Sequence, residues 1–385
     1  MMLFLFLLSA ACLVYTYVGY PLLLAVVGRM RQGSSGVTAQ PAAASLTALP
    51  AVSVVIAAHN EAASILERIG NLLGQHYPHD RLEIIVGSDG SSDATVAVVT
   101  ALGDARVRVL DLPRQGRALV HNACVAAASG EILVFTDAGT HFDRDCLRRL
   151  VKPFDDPGVG CTGGHLVYTN SGEPGIAQGA GWYWRFELWL RERETAAGST
   201  VAVTGACMAI RRQLFRRLAA VDDIDDAAPV DALLQGARVL YVADALAYDQ
   251  LPASSANELA ARQRIVTKNL TAVVRRPGIL SISHHARAAW MLTSHRLLRY
   301  LSPIFLLTLL LSNGFLLGHS LFQLSWAGQL LFYAGAAVGF AADRLRWRVP
   351  IVSICFALCL ANIGFLLGVL NILRGRGVAQ YEPIR

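Results

Sequence analysis

Acidic side chains follow predicted strands or precede a predicted helix at three places in the chain. Asp89 lies in VGSDGSSDAT after a strand at 82–87, and Asp137 lies in GEILVFTDAGT after a strand at 132–136. Asp225 and Asp226 lie in VDDIDDAAPVDALL, before a helix. Carboxylates in such positions can bind a divalent cation or accept a proton. Each is also a common capping or turn residue, so the candidate site depends on all three sites together.

Strands and helices alternate in the region that would hold these acids. We predict strands at 52–57, 82–87, 107–112 and 132–136, with helices at 62–75, 93–102 and 118–128. This alternation is typical of a mainly parallel α/β sheet flanked by helices, which presents ligand-binding groups at the carboxyl ends of its strands. Beyond residue 150 we predict strands at 159–168, 201–210 and 238–243 and a helix at 258–274.

The composition indicates membrane spans beside this domain. The chain of 385 residues is 54% hydrophobic and 16% charged, with a mean hydropathy of +0.43. Residues 1–28 carry no charge, and they are long enough for a transmembrane helix and too long for the apolar part of a signal peptide. Two further uncharged runs, 300–342 and 349–373, predict about three transmembrane segments within 300–373.

The remaining segments complete the predicted organisation. Residues 29–50 form a linker, 51–280 a catalytic domain, 281–299 an amphipathic interfacial helix and 374–385 a C-terminal tail. In the interfacial helix, Leu292, Leu297 and Leu298 should face the bilayer, and Arg287, Arg296 and Arg299 should face water.

Basic residues predict the orientation of these segments. Arg29, Arg31 and the DRLRWR cluster at 343–348 place the catalytic domain on the cytoplasmic side of the membrane. The basic RGRG at 374–377 conflicts with four complete spans, so the C-terminal topology stays open.

Several classes of protein are excluded. The seven cysteines form no C-x-x-C and no zinc or disulfide framework, which suits a reducing compartment. The net charge of +6 concentrates near the predicted spans without any aromatic and basic nucleic-acid motif, so the membrane surface is the expected partner and nucleic acid is not.

Five segments together resemble the membrane-bound glycosyltransferases of family 2, the inverting group with the GT-A fold that includes exopolysaccharide synthases. The resemblance covers about residues 51–275. The segments are VSVVIAAHNEA, EIIVGSDGSSDAT, QGRALVHNACVAAASGEILVFTDAGT, VTGACMAIRRQLF and DDAAPVDALLQGARVLYVADALAY.

The resemblance implies a role for each candidate residue. Asp89 would contact the base of a nucleotide-sugar donor, and Ala57, Asn60 and Glu61 would form the rest of the base-binding site. Asp137 would hold Mg²⁺ or Mn²⁺ against the donor diphosphate, which Arg117 and Arg264 would also contact. Either Asp225 or Asp226 would be the catalytic base, and the spacing slightly favours Asp226. The acceptor would be lipid-linked or a glycan, and other polysaccharide-synthesis proteins are candidate partners.

The sequence departs from the family pattern at three places. Gly139 replaces the second acid of the Asp-x-Asp motif, which puts metal affinity in doubt, and Arg117 replaces a lysine. Where processive synthases carry Gln-x-x-Arg-Trp, this chain has Ala261, Arg264 and Ile265. The loss of Gln and Trp favours transfer of one sugar over polymerisation.

Alternative interpretations remain open at this point. The chain could be a processive polysaccharide synthase or a regulatory protein that binds nucleotide sugars without catalysis. A nucleotidyltransferase would usually carry a glycine-rich, basic phosphate loop, which AAHNEAAS does not provide. The aromatic helix with Trp182, Tyr183, Trp184, Phe186 and Trp189 could pack on the sheet, rest at the bilayer or line an acceptor cleft.

Overall fold

Eight strands form one mixed sheet at the centre of the catalytic domain. The computed structural model describes residues 1–34, 49–169, 176–250, 255–345, 347 and 349–375. The strands are β1 (Val52–Ala58), β2 (Leu82–Asp89), β3 (Val107–Leu112), β4 (Ile132–Thr136), β5 (His141–Phe142), β6 (Val159–Tyr168), β7 (Met208–Arg211) and β8 (Arg238–Asp249).

The strand order is β3-β2-β1-β4-β7-β6-β8-β5. The first four strands are parallel, as predicted, so the carboxyl ends of β1, β2 and β4 meet at one edge. The second half is mixed, because β7 runs antiparallel to both β4 and β6, and β5 antiparallel to β8, while β6 and β8 are parallel. The GT-A arrangement of a mixed sheet flanked by helices is therefore present.

Fourteen α-helices are found among the described residues. They are α1 (Met2–Val14), α2 (Tyr20–Ser34), α3 (Ile65–Leu73), α4 (Thr95–Ala101), α5 (Arg117–Ala127), α6 (Cys146–Val151), α7 (Ile176–Ala196), α8 (Ile224–Leu234), α9 (Ser255–Arg275), α10 (Ile282–Leu292), α11 (Leu298–Tyr300), α12 (Ser302–Gly314), α13 (Ser320–Arg344) and α14 (Pro350–Leu373).

Side chains alternate between two cores, one on each face of the sheet. Val54 and Ile56 of β1 lie in one hydrophobic cluster, whereas Val55 lies in the other. A parallel strand covered on both faces needs apolar residues at every position, which explains the unbroken apolar runs that marked these strands in the sequence.

The strand predicted at 201–210 is shorter than expected. Only Met208–Arg211 pairs as β7, and Gly205–Cys207 forms a short 3-10 turn before it. The residues before this turn are held instead by α7 and β8: the backbone N–H of Thr200 donates to the carbonyl of Val239 at 2.7 Å.

The first helical region extends further than predicted. A π-helical turn at Tyr15–Gly19 joins α1 and α2, and α2 continues to Ser34. Residues 29–34 of the predicted linker are therefore helical. Residues 35–48 lie outside the described residues, as do 376–385 of the predicted tail.

Three helical regions among the described residues are long and apolar enough to cross a membrane: Met2–Arg31, Ser320–Arg344 and Ile351–Leu373. A fourth crossing results if Ile282–Tyr300 and Ser302–Gly314, bent by 56° at their junction, form one span. Apolar helices thus lie at both ends of the chain.

The helix predicted at 281–299 is present. The orientation predicted for Leu292, Arg296 and Arg299 is wrong, whereas Arg287 is exposed as predicted. α10, a π-helical turn at Thr293–Leu297 and α11 form one continuous segment, called here the α10–α11 segment. Leu292 is fully buried, and Arg296 and Arg299 are only 5% and 4% exposed. These arginines point into the catalytic domain because buried carboxylates face them there.

Candidate active site

The carboxyl end of β1 leads into a turn that hydrogen bonds hold to the loop after β2. Asn60 adopts a φ of 55°, in the left-handed region that asparagine tolerates better than most residues. Its backbone N–H donates to Ser91 Oγ at 3.1 Å, and its side-chain Oδ1 accepts from the Ser92 N–H at 2.8 Å. The N–H of Glu61 donates to Thr95 Oγ1 at 2.9 Å. Ala57, Asn60 and Glu61 thus lie on one edge beside the Asp89 loop.

Asp89 organises the loop that leads to Arg117. Its Oδ1 accepts from the backbone N–H groups of Gln115 at 2.7 Å and Gly116 at 3.0 Å, and Arg114 lies 3.2 Å from its Oδ2. Gly116 has a φ of 93°, which a side chain would strain. Asp89 therefore fixes the start of α5, whose first residue is Arg117.

Arg117 forms an ion pair with Asp137 at the end of β4. The Asp137 carboxylate is 41% exposed, so one side of it remains open to a ligand. A Cβ added at Gly139 would meet nothing within 4 Å, so the place of the missing second acid is open space.

Asp249 is a carboxylate that the sequence interpretation missed. It lines the same cavity as Asp137 and accepts a hydrogen bond from Thr140 Oγ1 at 3.1 Å. Burial and the charge of Asp137 raise the pKa of Asp249. Its place at the end of β8 could have marked Asp249 as a site residue. It was missed because that strand was predicted to end at residue 243 rather than at Asp249.

Three aspartates surround the start of α8. Asp223 is the N-cap residue, and its side chain accepts from the Ile224 N–H at 3.1 Å. Burial alone would raise the pKa of Asp223, but the cationic side chains of Arg117, Lys268 and Arg264 hold it below its ordinary value. Asp223 therefore remains a carboxylate among cations.

Asp225 lies in the first turn of α8, against the Gly205 turn. A Cβ at Gly205 would lie 3.2 Å from Asp225 Cβ and Cγ, so a side chain at this position would press against Asp225. Burial, together with the charges of Asp223 and Asp137, raises the pKa of Asp225 to about 6. This half-buried carboxyl group is thus both accessible and basic enough to accept a proton near neutral pH.

Asp226 is buried and already has a partner. Arg296 of the α10–α11 segment donates to Asp226 Oδ1 at 3.1 Å. Burial and the neighbouring Asp225 raise the pKa of Asp226, and Arg296 opposes that rise.

A buried ionic network joins α7 to the α10–α11 segment. Arg299 donates to Glu187 at 2.8 Å, and His295 lies 3.1 Å from Glu187 and 2.7 Å from Glu194. Burial would raise the pKa of Glu187, but His295, Arg299 and Arg191 lower it well below its usual range. Tyr20 of α2 also donates to Glu194, so the first candidate span is attached to the same network.

One cavity of about 340 Å³ connects these groups. It extends from Arg117 and Asp137 to Tyr300 and Phe365 on the helices that follow the catalytic domain. Its wall also includes Asp223, Asp225, Asp226, Asp249, Ala261, Arg264, Ile265, Lys268, Arg296 and Arg299.

The cavity brings together five of the predicted site residues: Arg117, Asp137, Asp225, Asp226 and Arg264. Ala57, Asn60, Glu61 and Asp89 lie along the neighbouring sheet edge, outside its lining. Of the aromatic helix, Trp184 lines the cavity and donates to the Leu166 carbonyl at 2.9 Å. The side chains of Trp182 and Tyr183 lie outside the described part of the structure.

Solved structures identify the class of fold. The chain is similar to a mannosyltransferase from Pyrobaculum calidifontis, solved with GDP-Man and Mn²⁺, with a TM-score of 0.64 and 24% identity over 94% of this chain and 99% of that one. The fold predicted from the sequence, a GT-A glycosyltransferase fold, is confirmed.

Sequence comparisons identify the family. The model of glycosyl transferase family 2 matches residues 53–219. An N-acetylglucosaminyltransferase of Rhizobium leguminosarum bv. trifolii is 32% identical over 133 residues, which are 33% of this chain and 72% of that protein. The beta-monoglucosyldiacylglycerol synthase of Trichormus variabilis is 28% identical over 170 residues, which are 43% of this chain but only 36% of that protein. The chain thus spans well under two thirds of the length of some curated relatives. It belongs to glycosyl transferase family 2.

Proposed function

We propose that this chain transfers a sugar from a nucleotide-sugar donor, with UDP-sugars the first candidates, to a lipid-linked or glycan acceptor, with inversion at the anomeric carbon. The observation that carries this proposal is the single cavity in which Asp225 lies near the Asp137–Arg117 pair. This cavity would hold the donor diphosphate at Arg117 and Asp137, next to Asp225, whose pKa suits a base.

The donor would lie along the carboxyl edge of the parallel strands. The nucleotide base would rest on Ala57, Asn60 and Glu61 beside Asp89, and the diphosphate would reach Arg117 and Arg264. Guanidinium groups bind phosphate oxygens through paired hydrogen bonds, which suits both arginines.

A divalent cation fits the residues at the diphosphate position. Asp137 has an open side, and Asp249 supplies a second nearby carboxylate in place of the acid missing at Gly139. Mg²⁺ needs only one or two protein carboxylates when substrate phosphates and water complete its shell. When bound, the cation would stabilise the departing nucleoside diphosphate. Among the described residues no group of three or more His, Cys, Asp or Glu side chains could hold a metal without the substrate.

Asp225 is the better candidate for the base, although the sequence slightly favoured Asp226. Asp226 is buried against Arg296, whereas Asp225 faces the cavity beside the Gly205 turn. The Asp225 carboxylate would take the proton of the acceptor hydroxyl. The hydroxyl oxygen would attack the anomeric carbon as the C–O bond from that carbon to the diphosphate breaks.

The shape of the cavity supports a lipid-linked acceptor that receives one sugar per event. Its far end is formed by Phe365, within the candidate span Ile351–Leu373, and by Tyr300, at the bend between Ile282–Tyr300 and Ser302–Gly314. Ala261 and Ile265 line it where an aromatic platform for a growing glycan would be needed. The names of relatives acting on glycolipids and in succinoglycan biosynthesis support a role in exopolysaccharide or envelope glycan synthesis.

A donor screen tests the proposal. Detergent-solubilised full-length protein should bind and slowly hydrolyse one class of nucleotide sugar with Mn²⁺ present, and Asp137→Ala should abolish this turnover. With added membrane lipid extract, products should carry one sugar. If the folded protein binds donors but turns over none of them, the regulatory alternative is favoured. A ladder of long products would favour a processive synthase.

A further inference from the structure

A second cavity of about 240 Å³ lies between α10 and the turns near residues 199 and 236. None of its lining residues belongs to the wall of the active-site cavity. The lining consists of Ser199, Val201, Leu233, Gly236, Ala237, Arg238, His284, His285, Ala286, Arg287, Ala288 and Met291.

Cationic groups converge on this cavity. Arg238 and Arg287 line it, together with His284 and His285. Arg31 reaches the same place from the end of α2: the Nη1 atoms of Arg31 and Arg287 lie 1.7 Å and 2.5 Å from the position that a Cβ on Gly198 would take. Gly198, with a φ of 114°, therefore gives two guanidinium groups room to lie side by side.

Arg287 has no acidic partner in the described part of this cavity. Arg238 pairs with Asp156, but none of the described lining residues is acidic, and Arg287 forms no ion pair with a carboxylate among the described residues. Arg31 Nη1 also donates to the Ala197 carbonyl at 2.9 Å. An anion beside Arg287 would offset the repulsion between its guanidinium group and the neighbouring positive charges. An anion is thus the ligand that this charge arrangement favours.

The position of the cavity indicates where the anion comes from. Arg31 is the last residue of the candidate span Met2–Arg31, so the cavity lies where the chain leaves the membrane. Just before the lining residues of α10, Leu280 and Ile282 are 39% and 78% exposed. Cations beside exposed apolar side chains at a membrane boundary match a lipid phosphate with its glycerol and acyl chains.

We propose that this cavity binds the phosphate of an anionic phospholipid headgroup. Arg287 contacts the phosphate oxygens, Arg31, Arg238 and the two histidines lie around the phosphate, and Leu280 and Ile282 contact the lipid. The site holds the α10–α11 segment at the bilayer surface and does not depend on which sugar the enzyme transfers.

Binding of short-chain lipids to the full-length protein in a neutral detergent tests this. The probes are dihexanoyl-phosphatidylglycerol, dihexanoyl-phosphatidylcholine and inorganic phosphate, and affinities are measured by native mass spectrometry and titration calorimetry. The wild type should bind phosphatidylglycerol more tightly than either other probe. Arg287→Ala should weaken that binding about tenfold, because a charge-assisted pair of hydrogen bonds is lost.

Arg148→Ala is the matched control, since Arg148 is also exposed and also has no carboxylate partner among the described residues. It should bind like the wild type. Arg287→Lys keeps the charge without the fork geometry and should bind with intermediate affinity, which preserves the test if Arg287→Ala does not fold. Unchanged phosphatidylglycerol binding in both Arg287 variants would overturn the site. Equal binding of phosphatidylcholine or of inorganic phosphate would overturn a lipid phosphate as its ligand.

Discussion

At the scale of single residues, the ionisation of the proposed base Asp225 predicts how sugar transfer depends on pH. Burial and the nearby carboxylates of Asp223 and Asp137 raise its pKa to about 6. A base must be deprotonated to act, so we expect kcat/KM to be constant above this pKa and to fall about tenfold per pH unit below it. The measurement is sugar transfer between about pH 5 and 8. Asp226→Asn should keep the same acidic limb, and a flat profile down to the lower limit would contradict the role of Asp225.

Residue types alone identified part of this site. Asp89, Asp137 and the acids of α8 follow or precede elements whose pattern is clear, so their places could be predicted. Asp249 and Arg296 could not, because their roles depend on contacts across 109 residues with Thr140 and 70 residues with Asp226. The choice between Asp225 and Asp226 likewise rests on Arg296, which the sequence assigned to water.

At the scale of elements, periodicity predicted the parallel half of the sheet well. β1, β2 and β4 are buried on both faces, so apolar β-branched runs mark them directly, whereas β3 at the edge of the sheet is only partly buried. The reversed strand β7 was predicted too long, since a run of apolar residues does not distinguish a paired strand from extended chain packed on its neighbours.

The α10–α11 segment shows the limit of an amphipathic pattern. Its arginines were assigned to water on the assumption that charged side chains face solvent. Burial of Arg296 and Arg299 is possible because Asp226 and Glu187 meet them with hydrogen bonds. The segment is therefore part of the active-site wall, and the carboxylates that hold it come from α7 and α8.

At the scale of the whole molecule, the apolar helices and basic clusters predict a catalytic domain on the cytoplasmic side. Two exposed positions test this: Ala105 in the catalytic domain and His319 in the turn between α12 and α13. In intact cells a membrane-impermeant thiol reagent should label His319→Cys, and it should label Ala105→Cys only after lysis. The parent chain, with its seven native cysteines, provides the background. Labelling of Ala105→Cys in intact cells would invert the topology.

The most direct test of Asp225 as the catalytic base compares Asp225→Asn with Asp226→Asn in sugar transfer by the full-length protein. Donor affinity and folding are measured for each variant. We predict that Asp225→Asn lowers kcat by about 10²–10⁴-fold while the donor Kd stays within about twofold, because the base acts on the acceptor hydroxyl. Asp226→Asn keeps a side-chain oxygen that can accept from Arg296, so this variant should fold and keep most of the turnover. Near wild-type turnover in Asp225→Asn would contradict Asp225 as the base. So would a loss of turnover that occurs only in Asp226→Asn while that variant is folded.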